Sequence, residues 1–245
     1  MRELAPQQDT VVMVDVHARS QPLDKVTKEY GNNVRYVAGG DSIGIGPDTK
    51  GVLDISSEFN IRLLRGNWEH QVLEGLVFHD LERRRMAQEI NRPLDYKELQ
   101  KIAKSYELSP KLPREELIIR ITEKMQACGH LNMLARAAMY YETEGDGGFI
   151  VVHAGLTSED WSKQKDDLEK AKGTFDQLPQ IFDDSRYTLS NRAEAFIATD
   201  KTVITGHTHR IQGERTTADG KRVRLASNQE LLVWQSWDKQ IKSFQ

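Results

Sequence analysis

The sequence predicts an α/β fold, and three observations carry the prediction. Short strand-like runs, Val11–Val14, Phe149–Val152 and Thr202–Thr205, each lead within two residues to a side chain able to bind a metal. A long middle stretch repeats its apolar residues at helical spacing, and the tail alternates apolar with polar residues.

Taken in order, Val11, Val12, Met13 and Val14 form an unbroken apolar run ending at Asp15, as expected of a strand covered on both faces. Val34 to Val37 make a second short strand, followed by GGDSIGIGPDTKG. Five glycines between 39 and 51 would be wasteful in a helix or packed strand, so this segment reads as a loop. Ile61, Leu63 and Leu64 lead into Arg65, Gly66 and Asn67 in the same manner. From about 69 to 143 the spacing of Val72, Leu73, Leu76 and Val77, then of Leu117, Ile121 and Met125 after Pro113, predicts helices. Breaks fall near Asn91-Arg92-Pro93 and Ser109-Pro110, and the region reads as a cap inserted beside a site. The strand Phe149–Val152 enters His153, a charged helix and a loose segment around 173 to 192 follow, and Thr202–Thr205 runs into Gly206 and His207. Arg222 through Trp234 suits antiparallel strands closing the sheet.

A chain of 245 residues can bury a substantial core, and a single domain over 1–245 with the helical insertion at about 69–143 is expected. A 38% hydrophobic fraction with 29% charged residues describes neither a disordered nor a membrane-spanning chain. No apolar stretch nears the roughly 20 residues of a bilayer span, and MRELAPQQDT lacks the pattern of a secretory signal, so the expected location is cytoplasmic. Cys128 is the sole cysteine, which excludes an internal disulfide and a thiolate-rich metal centre. The net charge of -3 gives no general attraction to a nucleic acid polymer, and the Arg83, Arg84, Arg85 run reads as solvated helix surface.

Any metal must then be held by imidazole, carboxylate and amide groups. Asp15, His17, Asp41, Asn67, His153, His207 and His209 supply them from five patches. A pair of divalent ions needs about six to eight such ligands, one of them a bridging carboxylate, to clamp a phosphoryl group. Asp41 is the natural bridge. Asp15 with His17, and His207 with His209, share a side if the strand continues, or one tight loop if it does not. Asp15 alone could be a helix cap and Asn67 alone a turn former, but five concurring patches need five separate bland explanations. His79 and His130, isolated in the helical region, read as packed or surface residues.

The order D-x-H, G-D, G-N, V-H-A-G, G-H-x-H resembles the calcineurin-like metallophosphoesterases over nearly the whole chain. GDSIGIGPDT, LLRGNWEH and VVHAGL are similar, more narrowly, to segments of the serine/threonine protein phosphatases and the bacterial diadenosine tetraphosphatases. The resemblance implies a four-layer α/β sandwich of two packed sheets, and a metal-dependent phosphatase acting through a hydroxide activated by two ions. Asp15, His17 and His209 would hold the first metal, Asp41 would bridge, and Asn67, His153 and His207 would hold the second. Manganese is expected, with iron, zinc or nickel as alternatives. Arg65 would contact the phosphate of a phosphorylated small molecule, a dinucleotide polyphosphate or a phosphoprotein.

The departures concern the leaving group. Trp68 stands where the family has the histidine that protonates it, Gly44 where an aspartate supports that histidine, and Ile45 where an arginine grips phosphate. Val14 and Ala18 replace glycines, and GIGPD is similar to the GYGPD loop of a phosphodiesterase branch, which keeps a diesterase as the alternative activity. A metal-bound scaffold without turnover is the non-enzymatic alternative. Losing a positioned acid forfeits about 10² to 10⁴ in rate, and least for a good leaving group. His70 and Glu69 are the nearest replacement acids, Trp68 could stack on a ring, and Arg19 could touch phosphate.

Overall fold

The computed structural model describes residues 9–77, 94–145, 147–153, 160–173, 199, 201–207, 213–216, 222–226 and 230–245. Strands β1 (Thr10–Met13), β2 (Arg35–Ala38), β3 (Arg62–Leu63), β9 (Leu231–Gln235) and β10 (Ile241–Phe244) form one sheet in the order β10-β9-β1-β2-β3. Strands β4 (Tyr140–Glu142), β5 (Phe149–Val152), β6 (Thr202–Thr205), β7 (Gly213–Thr216) and β8 (Arg222–Ala226) form the other, in the order β4-β5-β6-β8-β7. The helices are α1 (Ser20–Tyr30), α2 (Thr49–Glu58), α3 (Asn67–Val77), α4 (Tyr96–Ser105), α5 (Arg114–Ala127), α6 (His130–Ala135) and α7 (Trp161–Gly173).

The layers follow from the period-2 exposure of each strand. Val12 and Val14 pack with Phe149, Val151 and Ile204 in a cluster between the sheets. Val11 and Met13, pointing the opposite way, share a cluster with Leu23 and Val26 of α1, Leu53 of α2, Leu73 of α3, Ile102 of α4 and Ile121 of α5. Ile150, Val152 and Val203 turn away from the inter-sheet cluster and meet Trp161 and Leu168 of α7. A strand buried on both faces needs an unbroken apolar sequence, which is what Val11–Val14 and Phe149–Val152 supply. Helices, sheet, sheet and helix make the expected four layers.

Several local expectations need correction. Helix α1 was not anticipated, and neither was α2, which begins inside the glycine-rich segment. Asp48 caps α2 by accepting from the Gly51 amide at 2.9 Å, so Gly51 belongs to a helix and not to the loop. The tail does not close a single sheet: β8 runs parallel to β6, whereas β9 crosses to the other sheet and lies antiparallel between β1 and β10. Elsewhere Leu117, Ile121 and Met125 are the buried stripe of α5, Pro113 directly precedes that helix, and the chain is non-helical at Ser109-Pro110. The Asn91-Arg92-Pro93 break, His79, the Arg83–Arg85 run and the segment from 174 to 192 lie outside the described residues. Among the described residues no helix is long and apolar enough to cross a membrane.

Candidate metal centre

Five segments that follow strands converge here. Beyond β1 the chain turns into left-handed conformation at Asp15, His17 and Ala18, with φ of 54°, 51° and 53°. That twist lays its amides along the loop after β2: Asp15 donates to the Gly40 carbonyl at 3.2 Å, His17 to that of Asp41 at 2.8 Å and Ala18 to that of Ser42 at 2.8 Å. Asp41 and His207 also have positive φ, 50° and 71°. Non-glycine residues in this region cost about 1–3 kcal/mol each and cluster where the surroundings enforce them for a purpose. The tight-loop alternative for the Asp15 and His17 pair is therefore the one observed.

Ligand side chains from both sheets meet in this space. Asp15, His17 and Asp41 form one group, and Asp41, His153 and His207 form another, with the candidate ligand atoms of each group within 4.8 Å of one another. Asp41 belongs to both. Asn67 Oδ1 lies 3.0 Å from His153 Nε2 and 3.1 Å from His207 Nδ1, and those two nitrogens are 3.0 Å apart. His153 Nε2 is also 3.5 Å from Asp41 Oδ2. The second sheet is fastened to the first at this point, because the His207 amide donates to Asp15 Oδ2 at 2.8 Å. His209 lies outside the described residues.

The electrostatics call for a cation. Burial pushes the Asp15 carboxyl up to about 7 against the pull of His153. Against burial, which would raise it, His153 and His17 hold Asp41 at about 2. Burial also disfavours an imidazolium at His153, yet the charges of Asp41, Asp15 and Glu69 outweigh it and push that group up to about 9. A proton on His153 thus balances a concentration of buried carboxylates. Asp15 Oδ1 is buried and, among the described residues, accepts no hydrogen bond. An orphaned carboxylate oxygen, a shared carboxylate, and an amide oxygen converging with two imidazole nitrogens fit a pair of divalent ions.

Glu69 organises the ligand loops, a role the sequence reasoning missed in treating it as a spare acid. It is fully buried, and its carboxylate accepts four backbone N–H groups, from Asp41, Ser42, Ile43 and Gly66 at 2.9, 2.7, 3.3 and 2.8 Å. Both oxygens are occupied by these amides, which commits the side chain to holding the loops. The only cue in the sequence was an acidic residue in a first helical turn, a pattern that ordinarily answers the helix dipole.

The other named residues divide. The Arg65 guanidinium is buried and its Nη2 donates to the Ala135 carbonyl at 2.7 Å, which anchors α6 to the loop before α3. His70 is 1% exposed, so a surface role is corrected, and it sits in the first turns of α3. Arg19 braces the ligand loop from beneath, with Nε and Nη2 on the carbonyls of Val16 and Asp15 at 3.0 and 2.9 Å. His130 is held by Tyr106 and Asp54, consistent with a packed residue. Trp68 donates its amide to Asp41 Oδ1 at 3.0 Å and lays its indole over Gly44, where an added Cβ would overlap the ring. The paired departures at 44 and 68 are therefore one steric unit: an indole fits because position 44 has no side chain.

No protein-family profile and no curated protein matches the sequence. Solved structures do. One is a candidate diadenosine tetraphosphatase, at 15% identity and a TM-score of 0.60 over 98% of this chain and 95% of that one. A cold-active protein tyrosine phosphatase superposes with a TM-score of 0.54 at 16% identity, over 96% and 78% of the two chains. A protein serine/threonine phosphatase from Saccharomyces cerevisiae gives 0.50 at 15% identity, over 98% and 81%.

Proposed function

Because this chain carries the calcineurin-like metallophosphoesterase fold, we propose that it is a metal-dependent phosphatase acting on phosphate monoesters or phosphoanhydrides. The observation that carries the reading is Asp41, common to two ligand groups that draw on both sheets. Asp15, His17 and Asp41 would hold one ion and Asp41, Asn67, His153 and His207 the other, with His209 completing the first set. Manganese is the expected occupant. Bound divalent ions supply charge neutralisation on the phosphoryl oxygens and lower the pKa of water toward neutrality.

The chain's own contribution is geometric. Asp15, braced by Arg19, and Asp41, fixed by the Trp68 amide, are set by backbone and need no reorganisation when substrate arrives. His153 must give up its proton before it can ligate, so loading the site releases acid. Residues 1–245 serve on this reading as one catalytic unit, the helices of about 69–143 packing beside the site loop through Lys101, whose Nζ donates to the Ile45 carbonyl at 2.8 Å. The substrate is a phosphorylated small molecule, a dinucleotide polyphosphate or a phosphoprotein.

The test is manganese-dependent hydrolysis of an aryl phosphate monoester, the matching diester and diadenosine tetraphosphate, with Asp41→Asn beside the wild type. Turnover of the monoester or the tetraphosphate that Asp41→Asn abolishes supports the phosphatase, and diester-only turnover replaces it with a phosphodiesterase. Silence on all three with manganese bound would overturn the enzymatic reading.

A further inference from the structure

We infer that Trp68 and Ile45 form a seat for the leaving group, and that this site takes phosphates whose leaving group carries a planar aromatic ring and departs unprotonated. The inference rests on the phosphatase reading and narrows its substrate class.

The first observation is the placement of the ring. The Trp68 amide is bonded to Asp41, the carboxylate shared by both ligand groups, so the residue cannot drift from the reacting centre. Its indole covers Gly44 and packs on the helical core, while a part of the residue stays exposed. An aromatic residue is thereby anchored next to the shared carboxylate with part of its surface open. The second observation is its neighbour. Ile45 is 46% exposed and has φ of 51°. A β-branched residue in left-handed conformation is strained by about 1–2 kcal/mol, and no burial compensates it here. Glycine or asparagine would be the stable choice. An apolar side chain kept at that cost, next in sequence to the glycine that the indole covers, points to contact with a ligand.

The third observation concerns protons. On this wall Glu69 is fully buried with both oxygens occupied, and Arg65 and His70 are each 1% exposed. A leaving group here meets carbon, and no acid among the described residues 65 to 70 is accessible to it. Hydroxide attacks phosphorus, the bond from phosphorus to the leaving oxygen breaks, and its electron pair stays on that oxygen, giving phosphate and an oxyanion. No proton from this wall is consumed. An aryl oxide or a nucleotide phosphate can leave in that way, and the ring that stabilises or accompanies it can stack on the indole.

Calorimetry in manganese with two non-hydrolysable probes, phenylphosphonate and methylphosphonate, separates the ring from the phosphoryl group. The wild type is expected to bind the phenyl probe about tenfold more tightly, in keeping with one ring on an aromatic platform. Trp68→Leu should lose that preference while retaining the methyl probe, and Trp68→Phe should restore most of it. Ile45→Gly should shrink the preference while the unfolding temperature holds or rises, because strain is relieved. Equal affinity of the two probes for the wild type, or an equal loss of both in Trp68→Leu with Trp68→Phe no better, would overturn the inference. A wild type that binds neither probe and releases no nitrophenolate from nitrophenyl phosphate overturns the phosphatase reading itself, so the two failures are distinguishable.

Discussion

Replacing Glu69 with glutamine tests whether one buried carboxylate holds the ligand loops together. Oε2 accepts from Asp41 and Gly66, and Oε1 from Ser42 and Ile43. An amide has a single acceptor oxygen, so Glu69→Gln can satisfy only one pair, and its NH₂ must face the two N–H groups of the other. A buried donor left without an acceptor costs about 1–3 kcal/mol, which sums to about 2–6 kcal/mol for the pair. Set against a total stability of about 5–15 kcal/mol, that is a large fraction. For a chain of this size it corresponds to a fall of roughly 5–20 °C in unfolding temperature, read by circular dichroism. Manganese affinity should fall with it, because the Asp41 amide is among those released. Burial and the Asp41 charge push the Glu69 carboxyl upward. If they kept it protonated, glutamine would be nearly isosteric with it. A drop of less than about 2 °C would therefore refute the account of Glu69 as an ionised staple.

Two further predictions rest on groups away from the centre. The Tyr106 hydroxyl and His130 Nδ1 are hydrogen-bonded at 2.7 Å, and His130 Nε2 lies 3.2 Å from the half-exposed Asp54, so a relay through a buried imidazole ties α2 to α6. Tyr106→Phe strands the imidazole and should cost about 1–3 kcal/mol in thermal unfolding; an unchanged unfolding temperature would show the relay to be dispensable. Glu142 accepts from Lys165 and Lys201 at 2.7 Å and from the Trp161 indole at 3.0 Å. Against burial, which would raise it, those donors hold its carboxyl at about 2, below the ordinary 4.5. A depressed carboxyl stabilises the fold above its unfolded value, so that stability is complete above about pH 4.5 and disappears as pH falls toward 2. Glu142→Gln should flatten the acid limb of unfolding temperature against pH in that window. An acid limb identical to that of the wild type would remove Glu142 as its source.

Much of this was legible in the chain because covered strands write themselves as unbroken apolar runs. Val11–Val14 and Phe149–Val152 announced both sheets, and the residues just past them announced the centre. The position of β9 was not legible, since Leu231 to Trp234 carry no mark of which sheet they join; that choice is made by partners almost a whole chain away. Helices α1 and α2 escaped because their faces are short and polar, with Leu23 and Val26, and Val52 and Leu53, supplying most of the apolar contact. At the centre the structure gathers six of the seven candidate ligands into one space, while the backbone contacts of Arg65 and Glu69 carried no mark in the sequence. A charged residue beside a ligand reads as chemistry in sequence, and only the fold reveals that Arg65 also holds a helix and Glu69 the ligand loops.

The order of strands has a consequence for how the chain acquires its shape. β1, which launches Asp15 and His17, lies between β2 and β9. β2 emerges from the ribosome almost at once, but Leu231–Gln235 arrives tens of seconds later at about 5–20 residues per second. For that interval one edge of an apolar strand has no partner, and such an edge invites pairing with other chains. Because the closing contact is so distant in sequence, the sheet that carries the first ligands belongs among the late and slow events of folding.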